Sequence, residues 1–307
     1  MNRMTNDPDK ILLVIAGPTA VGKTDISVAV AGALGTEILS ADSRQFYREM
    51  NIGTAKPSLQ QLALVPHHFI GHISIHEDYN ISRFEKEALA RLEDLFARYG
   101  VVIMTGGSGM YIDAVCNGID DLPDANPVIR KELRAGFEHY GIQYLRNRLL
   151  DLDPDYYMEV DKCNPQRLIR ALEVCMTTGV PFSVLRRQQR RERPFRVLSF
   201  GLMTDREKLY ELINHRVDLM MEAGLEEEAR TLYPYRQLNS LQTVGYRELF
   251  EHFDGKISLD EAVIRIKTNT RRYAKRQLTW FKRNETMTWL NPDDPDCVTA
   301  MVAQTIN

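Results

Sequence analysis

A glycine-rich segment near the N-terminus has the residue types and spacing of a phosphate-binding loop. Residues 17–24 fit the pattern G-x-x-x-x-G-K-[S/T], between an apolar run at residues 11–16 and a helical stretch that begins at Lys23. In such a loop, backbone N–H groups and the positive end of the helix bind phosphate oxygens, and the lysine adds a point charge. We predict that the Thr24 hydroxyl ligates Mg²⁺. The predicted phosphate-binding residues are Gly17, Pro18, Thr19, Ala20, Val21, Gly22, Lys23 and Thr24.

This pattern predicts a phosphate but does not identify the molecule that carries it. An ATP-hydrolysing enzyme usually ends a later strand with an Asp that helps to hold Mg²⁺. Here the predicted strand at residues 101–104 ends in Thr105-Gly-Gly-Ser108, which argues against a motor or switch NTPase. The ligand is then either a nucleotide donor or another diphosphate ester.

Two further polar side chains follow predicted strands. Asp42 comes directly after a predicted strand at residues 37–41, and Ser108 lies in a glycine-flanked turn after the strand at residues 101–104. Because the carboxyl ends of parallel strands meet at one edge of a sheet, we expect both side chains beside the phosphate loop. An Asp after a strand is also a common turn former, so spacing alone leaves its role open.

The order of the predicted elements favours an α/β fold. The first third of the chain alternates strands with helices, including a helix at residues 82–99 with the capping box Ser82-x-x-Glu85. Such an alternation requires crossover helices over a parallel sheet. We predict a P-loop NTPase-like, doubly wound parallel sheet that is interrupted by an inserted all-helical lobe.

The lobe is predicted from a change of pattern after about residue 120. Helices are expected at residues 127–137, 140–150 and 165–178, the last with Asn164 as its N-cap. A strand at residues 196–202 then returns to the core, and helices follow at residues 205–223 and 258–281. The predicted domains are residues 1–119 for the first part of the core, 120–195 for the lobe, 196–290 for the return to the core with a basic C-terminal helix, and 291–307 for a tail.

Basic residues are placed unevenly along the chain. The net charge is only −3, so a nucleic-acid surface has to come from local clusters. Residues 265–283 contain eight Lys or Arg and no acid, interleaved with aromatic residues, and residues 186–196 contain six Arg and one Glu. A solvated helix face usually mixes signs, so we interpret the first stretch as a surface for a nucleic-acid backbone. For the second stretch an exposed linker is an alternative.

Cysteine usage and hydropathy indicate a soluble cytoplasmic protein. The cysteines show no C-x-x-C spacing and follow no secretory segment, so we expect reduced packing residues at Cys116, Cys163, Cys175 and Cys297. The longest apolar run, residues 11–16, is far below the roughly 20 residues of a membrane helix.

Four histidines lie close together at His67, His68, His72 and His76. Adjacent residues on an extended chain point to opposite faces, and no carboxylate or Cys joins these histidines at ligand spacing. We therefore do not expect a metal site there.

With these residues in place, the chain resembles the tRNA dimethylallyltransferase family over nearly its whole length. Seven segments carry the resemblance in order: Gly17 to Thr24, Asp42-Ser-Arg-Gln45, Asn51-Ile-Gly-Thr-Ala-Lys-Pro57, Pro66-His-His68, Gly106-Gly-Ser-Gly-Met-Tyr111, Asn164-Pro-Gln-Arg-Leu-Ile-Arg-Ala-Leu-Glu173 and Thr243-Val-Gly-Tyr-Arg247. One departure is Ser108, where the family commonly has Thr. The hydroxyl is kept, but the missing methyl group leaves its rotamer less fixed.

The resemblance implies a reaction and roles for individual residues. A member of this family transfers a dimethylallyl group from dimethylallyl diphosphate to N6 of the adenosine on the 3′ side of the anticodon, in tRNAs that read codons beginning with U. The N6 amine is a poor nucleophile, so a base must take its proton and the leaving diphosphate must be stabilised. We expect Asp42 to be the base. By resemblance, Ser108 holds the reacting groups and Arg216 joins the loop in binding the diphosphate.

The resemblance and the basic stretch together predict a tRNA-binding set. Gln45 can pair with an adenine edge through its amide. The set comprises Asp42, Ser43, Arg44, Gln45, Ser108, Arg130, Gln166, Arg167, Leu168, Ile169, Arg170, Gln242, Thr243, Val244, Gly245, Tyr246 and Arg247, with Arg271, Arg272, Lys275 and Arg276 from the basic helix. We expect a monomer, because no coiled-coil or repeat surface is visible.

Three other functions share some of these features. A prenyltransferase acting on free adenine nucleotides has the same loop and base but needs neither the lobe nor the basic helix. A small-molecule P-loop kinase is expected to show lid arginines and to require ATP. An RNA-binding protein with a vestigial loop is disfavoured, since Lys23, Thr24 and Asp42 are all intact.

Overall fold

The computed structural model describes residues 9–186, 190–294, 299, 300 and 302. Cys297, three positions of the arginine-rich stretch at residues 186–196 and part of the predicted tail at residues 291–307 lie outside the described residues. In chain order the elements are β1 (Ile11–Ala16), α1 (Lys23–Leu34), β2 (Ile38–Ser40), α2 (Leu59–Leu64), β3 (His67–His68), α3 (Ile81–Phe96), β4 (Val101–Gly106), α4 (Gly109–Asn117), α5 (Pro127–Tyr140), α6 (Ile142–Leu152), α7 (Pro154–Glu159), α8 (Pro165–Thr178), α9 (Phe182–Leu185), β5 (Arg196–Leu202), α10 (Arg206–Glu222), α11 (Leu225–Leu232), α12 (Tyr246–Phe253), α13 (Leu259–Phe281) and β6 (Thr288–Leu290). Short 3₁₀ turns lie at Ile52–Thr54, Tyr233–Tyr235 and Asn239–Leu241.

A parallel sheet with the strand order β3-β2-β4-β1-β5-β6 forms the centre of the first unit. Side chains of β1 alternate between two hydrophobic cores, with Leu12 and Val14 in one core and Leu13 and Ile15 in the other. A strand covered on both faces needs apolar residues at every position, which explains the continuous apolar run of β1. The predicted α/β fold with a parallel sheet is confirmed.

The parallel direction of the strands sets where the polar loops lie. β1, β2 and β4 all end at the same edge of the sheet, and the register pairs Ala16 at the end of β1 with Gly106 at the end of β4. The phosphate loop, Asp42 and Ser108 each follow one of these strand ends. This edge therefore collects the residues that the sequence singled out.

Helix α3 begins differently from the prediction. The predicted capping box at Ser82 and Glu85 is wrong. The N-cap is Asn80, whose side chain accepts a hydrogen bond from the Arg83 N–H at 2.8 Å. Glu85 instead is buried and pairs with Arg193 at 2.5 Å. Asn is as good an N-cap as Ser, and the helix begins after Asn80, which lies two residues before the predicted cap Ser82.

The second unit, Asn117–Arg191, is helical and has a core of its own. Helices α5 to α9 surround a cluster of buried side chains that includes Leu133, Leu145, Leu149, Leu168 and Leu172. Helix α8 has the predicted bounds, with the Asn164 side chain accepting from the Arg167 N–H at 3.2 Å. The unit was predicted at residues 120–195, and the remainder of the chain, Met1–Cys116 with Glu192–Asn307, forms the first unit. Within the described ranges no helix is both long enough and apolar enough to cross a membrane.

Candidate active site

A cavity of about 520 Å³ opens at the carboxyl edge of the sheet in the first unit. Many of the predicted site residues line it, namely Thr19, Lys23, Thr24, Asp42, Ser43, Arg44, Gln45, Arg216, Gln242, Thr243, Val244, Gly245, Arg247 and Arg276. The side chains from the phosphate loop, from the loop after β2 and from α10 therefore face one space. Its volume is within the usual range for a small-molecule site.

The phosphate loop is shaped by left-handed backbone conformations. Gly17, Ala20 and Gly22 have φ angles of 157°, 67° and 88°. A side chain at Gly17 would place its Cβ 2.8 Å from the Leu202 carbonyl oxygen, so this position requires glycine. The Lys23 ammonium donates to the Pro18 carbonyl at 2.7 Å, which closes the loop on itself.

Lys23, Arg216 and Asp42 interact electrostatically within the cavity. Burial lowers the pKa of Lys23 to about 8, while the nearby Asp42 carboxylate raises it and the Arg216 guanidinium lowers it. Burial also lowers the pKa of Arg216, again opposed by Asp42. Burial makes the charged forms of Lys23 and Arg216 less stable, and a bound anion compensates for this effect. A diphosphate would supply such an anion.

Asp42 lies in a loop that is tied to the turn after β4. The Ser43 N–H donates to Ser108 Oγ at 3.0 Å, and the Ser108 hydroxyl lies 3.1 Å from Ser43 Oγ, to which it donates. The Arg44 N–H donates to Asp42 Oδ1 at 3.1 Å. Ser108 therefore contacts Ser43, the residue that follows the predicted base. The Arg44 guanidinium donates to the Ser240 carbonyl at 2.9 Å.

Gln45 already uses both ends of its amide. Its nitrogen donates to the carbonyls of Thr54 and Ala55 at 3.3 and 3.0 Å, and its oxygen accepts from the Ser40 hydroxyl at 3.2 Å. Pairing with an adenine, as predicted from the sequence, requires an exchange of at least one of these bonds.

Two residues that the sequence interpretation missed as site residues come from α13. Tyr273 lines the cavity, and its pKa is raised to about 12 by burial and by Asp42, against smaller opposite effects of Arg44 and of a hydrogen bond with Ser108. Gln277 is only 6% exposed and bonds to Thr19 and Gly107. A polar amide at a core-facing position, between the buried residues Ala274 and Phe281, is the signal that could have identified Gln277.

The segment at residues 242–247 is divided between cavity and core. Gln242 and Arg247 are exposed, whereas Tyr246 is fully buried and donates its hydroxyl to Glu228 Oε1 at 2.6 Å. The Tyr246 side chain thus holds this segment in place, so a contact of Tyr246 with RNA would fall to its backbone. Its pKa is raised by burial and by Glu228.

In the helical unit, two of the predicted tRNA-binding residues, Arg130 and Arg170, form ion pairs with Glu173. Glu173 is fully buried, and its carboxylate accepts from Arg130 at 2.6 Å, from Arg170 at 3.1 Å and from the Asn126 N–H at 2.8 Å. The side chains of Leu168 and Ile169 are buried in the core of this unit, so the predicted RNA contact of these two residues would fall to their backbone. The exposed members of the predicted set are Gln166 and Arg167.

Some basic residues of α13 are paired with acidic residues of other elements. Arg265 pairs with Glu251 at 2.9 Å, and Lys267 pairs with Asp218 at 2.6 Å. By contrast, Arg271 and Arg272 donate to uncharged groups, and Lys275 and Arg276 are exposed. Among the described residues, the four predicted RNA ligands are thus the cations of α13 that are not paired with a carboxylate.

The arginine-rich stretch at residues 186–196 also has internal partners. Arg193 is largely buried against Glu85, and Arg186 lies 3.3 Å from Glu159. Arg190 and Arg191 are exposed. Only part of this stretch therefore remains available for RNA.

A magnesium ion would depend on oxygens of the substrate. The Thr24 hydroxyl lines the cavity beside Lys23. Within the part of the chain that the structure describes, no three His, Cys, Asp or Glu side chains could together hold a metal. This donor set fits Mg²⁺, which usually keeps few protein ligands and binds phosphate oxygens.

The histidine segment is packed into the protein. His68 lies 2.7 Å from Glu37, and His72 contacts the rings of Phe46 and Phe69. His67 lines the cavity, its Nδ1 lies 2.8 Å from the Val65 carbonyl, and burial lowers its pKa. These contacts assign structural roles to His68 and His72, whereas the ring of His67 lies at the cavity with its buried Nε2 unpaired among the described residues.

The chain is similar to known proteins over most of its length. A sequence model of the family described as IPP transferase matches residues 45–284. A protein of Christiangramia forsetii described as tRNA dimethylallyltransferase is 53% identical over 283 residues, which cover 92% of this chain and 94% of that protein.

Two solved structures have the same fold. The tRNA isopentenylpyrophosphate transferase of Bacillus halodurans has a TM-score of 0.70 and 37% identity, with 97% of each chain covered. A eukaryotic dimethylallyltransferase acting on tRNA has a TM-score of 0.76 and 26% identity, covering 96% of this chain and 77% of that chain.

Proposed function

This chain belongs to the IPP transferase family, and we propose that it moves a dimethylallyl group from dimethylallyl diphosphate to N6 of the adenosine on the 3′ side of the anticodon, in tRNAs that read codons beginning with U. The resemblance drawn from seven sequence segments is confirmed, and the chain is an enzyme, a prenyltransferase that modifies tRNA. The observation that carries the detailed proposal is the meeting of Lys23, Arg216 and Asp42 at one cavity.

In the proposed reaction, adenine N6 attacks the first carbon of the dimethylallyl group. The bond between N6 and that carbon forms while the bond from the carbon to the diphosphate oxygen breaks, and the electron pair leaves with the diphosphate. Asp42 accepts the N6 proton, which removes the positive charge from the alkylated amine. The products are N6-(dimethylallyl)adenosine and diphosphate.

The leaving group is stabilised at the other side of the cavity. Lys23, Arg216 and the N–H groups of the phosphate loop would bind the diphosphate oxygens. Mg²⁺, when bound by Thr24 and the diphosphate, would neutralise further negative charge on the leaving group. Ser108 would hold the base loop through its hydrogen bonds with Ser43.

The tRNA has to present an unstacked adenine. Leaving the stack is easier in a single-stranded loop than in a duplex and costs a few kcal/mol. We propose that Arg271, Arg272, Lys275 and Arg276 bind phosphates of the RNA backbone, and that Gln166 and Arg167 do the same in the helical unit. The protein is proposed to act as a monomer in the cytoplasm, where its substrate tRNA is found.

Transfer of labelled dimethylallyl diphosphate to two acceptors tests this proposal. The acceptors are an unmodified anticodon stem-loop with adjacent adenines and free AMP, each with Mg²⁺ or with a chelator. We expect label on the stem-loop alone, and a slower reaction with the chelator. Labelling of AMP alone would instead identify an enzyme of free nucleotides, and labelling of neither would favour a small-molecule kinase.

A further inference from the structure

Gln277 connects two loops that serve opposite sides of the proposed reaction. Its Oε1 accepts a hydrogen bond from the Thr19 N–H of the phosphate loop at 2.9 Å. Its Nε2 donates to the Gly107 carbonyl in the turn after β4, also at 2.9 Å. The residue is buried on α13, and both partners are distant in sequence.

The chemistry of the side chain suits this double contact. A neutral amide carries a donor and an acceptor at fixed separation, so it can satisfy one N–H and one carbonyl at the same time. A carboxylate could accept from Thr19 but could not donate to Gly107, and an apolar side chain could do neither. The contact depends on the absence of a side chain at Gly107, since a Cβ there would lie 2.2 Å from Gln277 Nε2.

Each of the two loops leads directly to a group that the reaction needs. Thr19 lies in the loop that ends at Lys23, and its N–H is held by Gln277 instead of facing a phosphate. Gly107 precedes Ser108, whose hydroxyl bonds to Ser43 beside Asp42. A movement of Gln277 would change the distance between the diphosphate-binding loop and the base loop.

We propose that Gln277 is a positioning residue that sets the distance between the diphosphate and the base by bonding both loops. This inference rests on the proposed function, because it assigns the phosphate loop to a diphosphate. Gln277 acts through Thr19 and Gly107, and it takes no proton in the reaction.

The test compares Gln277→Met, Gln277→Glu and, as a control, Thr279→Ala. Met has a similar length and makes neither bond, whereas Glu keeps the bond to Thr19. Thr279 is exposed two residues further along the same helix, and its hydroxyl bonds only within the helix, to the Lys275 carbonyl. For each variant, the dissociation constant of inorganic diphosphate is measured by calorimetry, and KM and kcat are measured with dimethylallyl diphosphate and the stem-loop.

We expect Gln277→Met to weaken diphosphate binding by about tenfold or more, to raise KM for dimethylallyl diphosphate and to lower kcat, because two buried hydrogen bonds are lost. KM for the stem-loop should stay within about twofold of the wild type while KM for dimethylallyl diphosphate rises, whereas partial loss of folding would lower the apparent kcat and leave both KM values unchanged. Gln277→Glu should lower kcat as well, since the bond to Gly107 is lost, and Thr279→Ala should match the wild type.

Unchanged diphosphate affinity and kcat in folded Gln277→Met or Gln277→Glu would overturn the inference and leave the proposed function intact. If Gln277→Met does not fold, Gln277→Glu decides alone. Wild-type protein that binds no inorganic diphosphate would overturn both.

Discussion

Ser108 illustrates how one hydroxyl supports the loop that carries the predicted base. It accepts from the Ser43 N–H and donates to the Ser43 hydroxyl, and it lies at the end of β4. The family commonly has Thr at this position, whose extra methyl group restricts the rotamer. The side chain of Ser108 therefore keeps the hydrogen bonds but has more freedom.

We predict opposite effects for two substitutions of Ser108. Ser108→Ala removes the hydroxyl and should lower kcat by about tenfold, because the loop that carries Asp42 loses a hydrogen-bond partner. Ser108→Thr keeps the hydroxyl and should leave kcat at or above the wild-type value. Steady-state transfer assays on both variants measure the effect, and a wild-type kcat in Ser108→Ala would show that the hydroxyl does not contribute.

The individual residues that could be predicted from the sequence are those whose function depends on neighbours in the chain. Lys23 and Thr24 could be predicted because a phosphate loop is a short continuous segment, and Asp42 because it follows a strand directly. Gln277 and Glu173 could not, because their partners come from distant segments that only the fold brings together. A buried polar residue has no sequence signature of its partner.

Among the elements, β2 and the edge strand β3 are joined to the segment after α3 by one carboxylate. Glu37, at the start of β2, accepts from Arg98 at 2.7 Å and from Tyr99 at 2.9 Å, and it lies 2.7 Å from His68 in β3. Burial alone would raise its pKa, but the hydrogen bonds from Arg98, His68 and Tyr99 outweigh burial and lower the pKa to about 2.

The Glu37 cluster predicts a pH dependence of stability. A carboxylate with a lowered folded-state pKa stabilises the fold above its unfolded value of 4.5, and this contribution is lost as the pH falls towards about 2. Glu37→Gln should reduce the free energy of unfolding at pH 7 by on the order of 2 kcal/mol, and the difference from wild type should shrink between pH 4.5 and pH 2.

Urea denaturation at several pH values measures this difference. Glu93→Gln, at an exposed position on α3, is the control and should show little change at any pH. A difference between Glu37→Gln and wild type that stays constant down to pH 2 would contradict the assigned cause.

The elements themselves were predictable to different degrees. Helix α8 was found with its bounds, because Asn164 and Pro165 mark its start without competition. Helix α3 was misplaced at its start, because Asn80 and Ser82 are both good caps. The charge of α13 was overestimated, because acids from other elements pair with Arg265 and Lys267.

The whole molecule consists of two units, and each keeps a buried carboxylate for its own stability. In the helical unit, Glu173 is held by Arg130, by Arg170 and by the Asn126 N–H. Removing one partner of a buried carboxylate is costly, because the remaining charge is out of water. Loss of Arg130 should therefore affect folding as well as any contact with RNA.

We predict that Arg130→Ala lowers the stability of the protein by about 1–3 kcal/mol and weakens binding of the stem-loop at the same time. The exposed Arg167 is the matched control, and Arg167→Ala should weaken RNA binding without a change in Tm. Thermal denaturation and stem-loop titration separate the two effects. An unchanged Tm for Arg130→Ala would mean that its pairing with Glu173 adds nothing to stability.

The central claim is that Asp42 takes a proton from adenine beside a separately built diphosphate site. The most direct measurement is the single-turnover rate of dimethylallyl transfer to the stem-loop by wild type and by Asp42→Asn, with inorganic diphosphate affinity measured in parallel and Asp94→Asn on the surface of α3 as the control. The account predicts a rate about 10²–10⁴ times lower for Asp42→Asn, with diphosphate still bound and the control unchanged. Transfer by Asp42→Asn at the wild-type rate would contradict it.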